Sequence, residues 1–155
     1  IRIHNASFAN TSAVAIGAES LGVPQGGGIF VDEATVHISN SKLVYTSAIG
    51  NKGGEGGGVY VNDGLVTLYD VISDHAEVDG SGAKGAALYL NRGMTRLLAV
   101  SVQLASGSGI GVYVEEAAHL LASVIRVVGA CSDFMNQNSA RVLVHDLTFE
   151  SVCTH

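Results

Sequence analysis

The densest group of side chains able to move protons or hold a cation is Asp70, Asp74, His75, Glu77 and Asp79, with Lys84 close behind. Two carboxylates about 5–10 Å apart would suit glycoside hydrolysis. Asp79-Gly80-Ser81-Gly82 has the look of a calcium loop, but regular acidic spacing and a closing Glu are both missing. This stretch reads as a solvated polar loop. The histidines stand at 4, 37, 75, 119, 145 and 155, and no Cys or His spacing matches a zinc site. No serine sits in a Gly-x-Ser-x-Gly turn. Ser106-Gly107-Ser108-Gly109 is followed by no lysine, so it is not a phosphate cradle. The sequence therefore offers no catalytic residues, no metal site and no cofactor.

The elements that would position any site come from internal repetition. Gly26-Gly27-Gly28-Ile29-Phe30-Val31-Asp32 recurs as Gly56-Gly57-Gly58-Val59-Tyr60-Val61-Asn62. It returns as Gly85-Ala86-Ala87-Leu88-Tyr89-Leu90-Asn91 and as Gly109-Ile110-Gly111-Val112-Tyr113-Val114-Glu115. Phe134-Met135-Asn136-Gln137 is a degenerate copy. A second alternating segment follows each copy, beginning at Val36, Val66, Leu97, Leu120 and Val142, with Ile1 as the first member. A third apolar position lies seven residues further on, at Phe8, Leu43, Leu104, Val127 and Phe149, and fails at Ser73.

Units of 22 to 35 residues carrying three short strands stack best in parallel, each strand about 4.8 Å from its equivalent. Crossovers between parallel strands are nearly always right-handed. The expectation is an all-β chain, a right-handed parallel β-helix of about six rungs near 1–8, 29–44, 59–73, 88–104, 112–128 and 134–150. Val36, Val66 and Leu97 would share one inward ladder. Asp32, Asn62, Asn91 and Glu115 would line one corner, and Asn5, Asn40 and Asp70 another, since Asn and Asp tolerate left-handed backbone. Residues 115–128 also fit an amphipathic helix, with Leu120, Leu121, Val124, Ile125 and Val128 on one face. Register with the Val-Tyr-Val copy favours strands.

The Gly-Gly-Gly-Ile-Phe-Val and Gly-Gly-Gly-Val-Tyr-Val copies, with Thr-Val-His-Ile-Ser-Asn-Ser (35–41) and Val-Thr-Leu-Tyr-Asp (66–70), resemble pectin-lyase-like β-helix repeats. They are most similar to the Gly-Gly-x-Ile repeats of polymorphic outer-membrane and autotransporter-passenger proteins, and to repeats in secreted algal and protist proteins. The resemblance is good over 26–72. It implies an extracellular or cell-surface rod and carries no catalytic signature; fold alone does not give function. Lyases of this fold use clustered Asp for Ca²⁺ with a basic Arg or Lys. The Asn-Thr-Asp, Asp-Asp and Gly-His-Gly runs of the polygalacturonases are missing here.

Cys131 and Cys153 are 22 residues apart, the step between the last two rungs, so they should face each other and form a disulfide. Asn5-Ala6-Ser7 and Asn10-Thr11-Ser12 are N-glycosylation tripeptides, Asn10 being the better placed. Phe30, Tyr60, Tyr89 and Tyr113 take one position of the repeat and face away from the aliphatic filling. They form either an ordinary cross-strand stack or a contact stripe for a protein or glycan. Loops between rungs, at 9–27, 45–57, 73–86, 105–110 and 129–132, would make an irregular face carrying Lys52, Glu55, His75, Glu77 and Lys84.

Composition narrows the classes further. The 155 residues hold 20 Gly, one Pro and no Trp, with 14 Asp+Glu against 8 Lys+Arg and a net charge of -6. That balance does not suit nucleic acid. No apolar run nears the roughly 18 residues of a membrane span. The chain opens on Ile1 and stops just after an alternating run, as an interior piece of a longer protein would. The leading expectation is a structural or adhesive rod whose partners are neighbouring protein modules, copies of itself or a glycan. The other expectations are a carbohydrate-active enzyme and a carbohydrate-binding module.

Overall fold

The computed structural model describes residues 1–15, 22–51, 53–79, 82–104, 110–129, 132–136 and 140–150. Among these residues twelve strands run in order: β1 (Arg2–His4), β2 (Ser7–Ala9), β3 (Ser12–Ala15), β4 (Ile29–Asp32), β5 (Thr35–Val44) and β6 (Ser47–Gly50). They continue as β7 (Val59–Asn62), β8 (Gly64–Asp79), β9 (Leu88–Leu104), β10 (Ile110–Val128), β11 (Ser132–Asn136) and β12 (Arg141–Glu150). No helix occurs among the described residues, and 115–128, where a helix competed, belongs to a strand. Every strand pairing is parallel, and the strands join into one sheet that does not close.

The pairing is layered. Ile3, Ile38, Leu68, Leu97, Ala122 and Val144 lie over one another, at successive offsets of 35, 30, 29, 25 and 22 residues. Their neighbours alternate between a buried face and an outer one, as the two-residue period of a strand requires. Ile38, Leu43, Leu90, Leu120 and Ile125 are among the fully buried side chains of a single aliphatic core. Each such side chain contributes about 1.5–3 kcal/mol on leaving water.

The fourth layer corrects the expected register. Val66 pairs with Thr95, not Leu97, and Leu97 stacks on Leu68. Val102 rather than Leu104 then continues the column of Phe8, Leu43, Ser73 and Val127. A two-residue slip leaves every side chain on the same face, so alternation alone could not locate it. Thr95 is fully buried and polar, which disguised the true start of the segment.

Strands turn at stacked corners. Asn5, Asn40, Asp70, Ala99, Val124 and Asp146 all hold left-handed backbone, with φ between 48° and 59°. Asn10, Tyr45 and His75 repeat this at a second corner, with φ of 54°, 53° and 56°. The expected loops are shorter than the sequence implied: β3, β6 and residues 77–79 of β8 form a further paired line through them.

Candidate functional site

The repeated aromatic position forms a continuous stack. Phe30 lies 5.3 Å from Tyr60, Tyr60 5.1 Å from Tyr89, and Tyr89 5.2 Å from Tyr113, centroid to centroid, with rings within 6° of parallel. The flanking Val31, Val59, Val61, Leu88 and Leu90 enter the aliphatic core, while Tyr60, Tyr89 and Tyr113 make a separate buried cluster. The tyrosines are at most 4% exposed, against 50% for Phe30. A stripe open along its length is therefore not what the strands present; only the Phe30 end meets solvent.

The cover comes from the glycine segments. Gly56 and Gly85 hold φ of 65° and 63°, and a Cβ on either would stand 3.0 Å from the Cα of Tyr60 or Tyr89. A left-handed turn with no side chain brings the preceding residue back over the rings. Those residues are Gln25, Glu55 and Lys84, bridged to each other as a parallel column. Gln25 Nε2 donates to the Tyr60 hydroxyl at 2.9 Å and to Glu55 Oε2 at 3.1 Å. Lys84 Nζ lies 4.7 Å above the Tyr113 ring and 3.4 Å from Glu115 Oε1. The Tyr89 hydroxyl donates to the same Glu115 oxygen at 2.6 Å.

Electrostatics follows from this packing. Burial, then the charges of Glu55 and Glu115, pushes Tyr60 up to about 12. Burial and the hydrogen bond to Glu115 raise Tyr89 further still. Burial works against the charge of Lys84, but Tyr113 and Glu115 outweigh it and its pKa rises. The cluster holds its protons firmly, which suits a structural strut and not proton transfer near neutral pH.

Sequence reasoning missed the Gln25–Glu55–Lys84 column. Its signal was present: each residue immediately precedes a repeat glycine, and the three are 30 and 29 residues apart. Glu115 was expected in the corner ladder of Asp32, Asn62 and Asn91. The first three do join, Asn62 Nδ2 donating to Asp32 at 2.6 Å and Asn91 Nδ2 to Asn62 at 2.8 Å. Glu115 leaves them because the register of β10 against β9 shifts between Val114 and Ala117, and it turns to Tyr89 instead.

The acidic group is spread out. Asp70 and His75 occupy two different left-handed corners, while Glu77 and Asp79 lie on the line paired with β6. Asp74 meets His75 at 2.7 Å, and the His75 ring lies 4.7 Å from that of Tyr45. Among the described residues no three His, Cys, Asp or Glu side chains gather as metal ligands. Asn5 and Asn10 are exposed. Cys131, Cys153, Lys52 and His155 lie outside the described residues. Among the described residues no helix is long and apolar enough to cross a membrane. Set against known proteins, the chain matches no family model, no curated protein and no solved structure.

Proposed function

We propose that this chain is a segment of a right-handed parallel β-helical rod of the pectin-lyase-like kind, working outside the cell as a structural or adhesive element. The observation that carries this reading is the unbroken parallel register of one column through six layers, Ile3 to Val144. A unit that repeats its backbone while varying its outer residues builds length and presents surface. The stacked tyrosines and their polar cover stiffen one side of the rod. The proposal includes a Cys131–Cys153 bridge, because β10 pairs with β12 at a 22-residue offset as far as Val128 and Glu150, each three residues short of a cysteine. Mass measurement with and without reductant tests that bridge, and two freely alkylated thiols would remove it.

The test of function is location and turnover. Antibody raised against this chain should label intact cells of its source, and external protease should remove the label. The purified chain should release no oligosaccharides from neutral or acidic polysaccharides. Antigen confined to the cell interior, or depolymerisation of any of these polymers, would overturn the reading.

A further inference from the structure

One outer sheet face carries a charge pattern unlike the rest of the chain. It is formed by the outward residues of β1, the first halves of β5 and β12, and the matching parts of β8, β9 and β10. Arg2, Arg96 and Arg141 lie on it, with His4, His37, His119 and His145, four of the six histidines. No Asp, Glu or Lys occupies these positions, although the chain has 14 acidic residues. Acids flank the face at its corners: Glu33, Asp63, Asp70 and Asp146, the last 2.8 Å from His145.

The same face exposes large apolar side chains. Leu65, Tyr69, Leu98, Leu121 and Leu143 are each more than a third exposed. Leu121 and Leu143 stack as a ridge between two dimples. One dimple is walled by Met94, His119 and Arg141, the other by Arg96, Leu98 and His145. Each therefore pairs a guanidinium and an imidazole with aliphatic carbon. A contiguous apolar patch of this kind on a soluble surface marks an interaction site.

We infer that this face docks on an anionic phospholipid surface. The arginines would meet headgroup phosphates, which guanidinium binds in bidentate fashion, and the Leu121–Leu143 ridge would enter the headgroup–acyl boundary. A sugar chain is the poorer occupant, because Tyr69 is the one Phe, Tyr or Trp on the face. The inference deepens the adhesive reading by naming the partner's chemistry, and rests on that reading for the claim that the face meets something outside the chain.

Vesicle sedimentation tests it. The chain should sediment with phosphatidylglycerol-rich vesicles and not with phosphatidylcholine alone, and binding should weaken as salt rises. Each arginine near an anionic surface is worth about a fivefold change in partition. R96Q/R141Q should thus lower binding about twenty-fivefold, and Leu143→Ser should lower it as well. Lys42→Gln, the loss of one positive charge on a different outer line, should leave it unchanged. Failure to bind the anionic vesicles, equal binding to neutral ones, or equal loss in Lys42→Gln would overturn the inference. So would capture by soluble heparin or polyglutamate without vesicle binding, which would assign the face to a glycan or an acidic protein. Vesicle failure with surface labelling intact removes this inference alone; interior antigen with vesicle binding intact removes the extracellular adhesive reading and leaves only the lipid affinity of the face.

Discussion

Replacing Tyr89 decides whether the aromatic column is a strut or a surface. Its ring stacks on two neighbours, at 5.1 and 5.2 Å, and is 4% exposed. Truncating a buried aromatic to Ala costs about 3–5 kcal/mol. Within that figure, each lost ring contact accounts for about 0.5–1.5 kcal/mol. Tyr89→Phe keeps both stacks and removes only the hydroxyl that donates to Glu115 at 2.6 Å. A hydrogen bond to a charged group is worth about 1.5–3 kcal/mol. Phe30→Ala loses one stack at a site that is 50% exposed, so it should cost about 1–2 kcal/mol. Urea unfolding followed by circular dichroism should rank the variants Tyr89→Ala, then Tyr89→Phe, with Phe30→Ala well below Tyr89→Ala. If Tyr89→Ala costs under about 1 kcal/mol, or no more than Phe30→Ala, the rings are not buried and the stripe is open after all.

Other expectations follow from the same geometry. Val124 holds φ 56° at a corner where the equivalent residues are Asn5, Asn40 and Asp70; Val124→Asn should stabilise by about 1 kcal/mol, and a lower denaturation midpoint would refute the corner argument. Burial raises the pKa of Tyr60 and Tyr89 in the folded chain, so their contribution to stability should be flat below pH 10 and fall above it as the unfolded chain releases those protons first. Simultaneous ionisation of all five tyrosines in the folded chain, read by phenolate absorbance, would contradict this. Excising residues 66–94 removes one whole layer, since Val66 pairs with Thr95. The shortened chain should still fold as β structure with lower stability, and a random-coil spectrum would argue against stacked, equivalent layers.

Much of the backbone was legible because repetition shows at the level of residue type. Asn5, Asn40 and Asp70 marked a left-handed corner that continues in the structure through Ala99 and Val124, where no side-chain preference advertises it. The register failed at one point, where Leu97 looked a better segment start than Thr95. Gly93 stacks on Gly64 just before that start and would have fixed it. Burial of the tyrosines was not legible from alternation, which says only that an aromatic points away from the aliphatic core. Deciding between water and protein on that side required knowing where the glycine turn sends the residue before it.

That turn also explains why two outer rows of the same sheet have different fates. Beside the Val59–Asn62 and Leu88–Leu90 segments, Gln25, Glu55 and Lys84 fold back as a lid, so Tyr60 and Tyr89 each combine a ring that packs with a hydroxyl that hydrogen-bonds, while Phe30 at the open end is half exposed and has no hydroxyl. Beside 35–39, 65–69 and 94–98 no segment among the described residues folds back, and Thr35, His37, Leu65, Tyr69, Arg96 and Leu98 stay exposed or half-exposed. The first row is constrained by packing and repeats its chemistry from layer to layer. The second is constrained only by alternation, and its residues differ at nearly every layer. Freedom from packing is what lets a surface be shaped by a partner, so the uncovered row, with its arginines and without acids, is where function on this scaffold is to be sought.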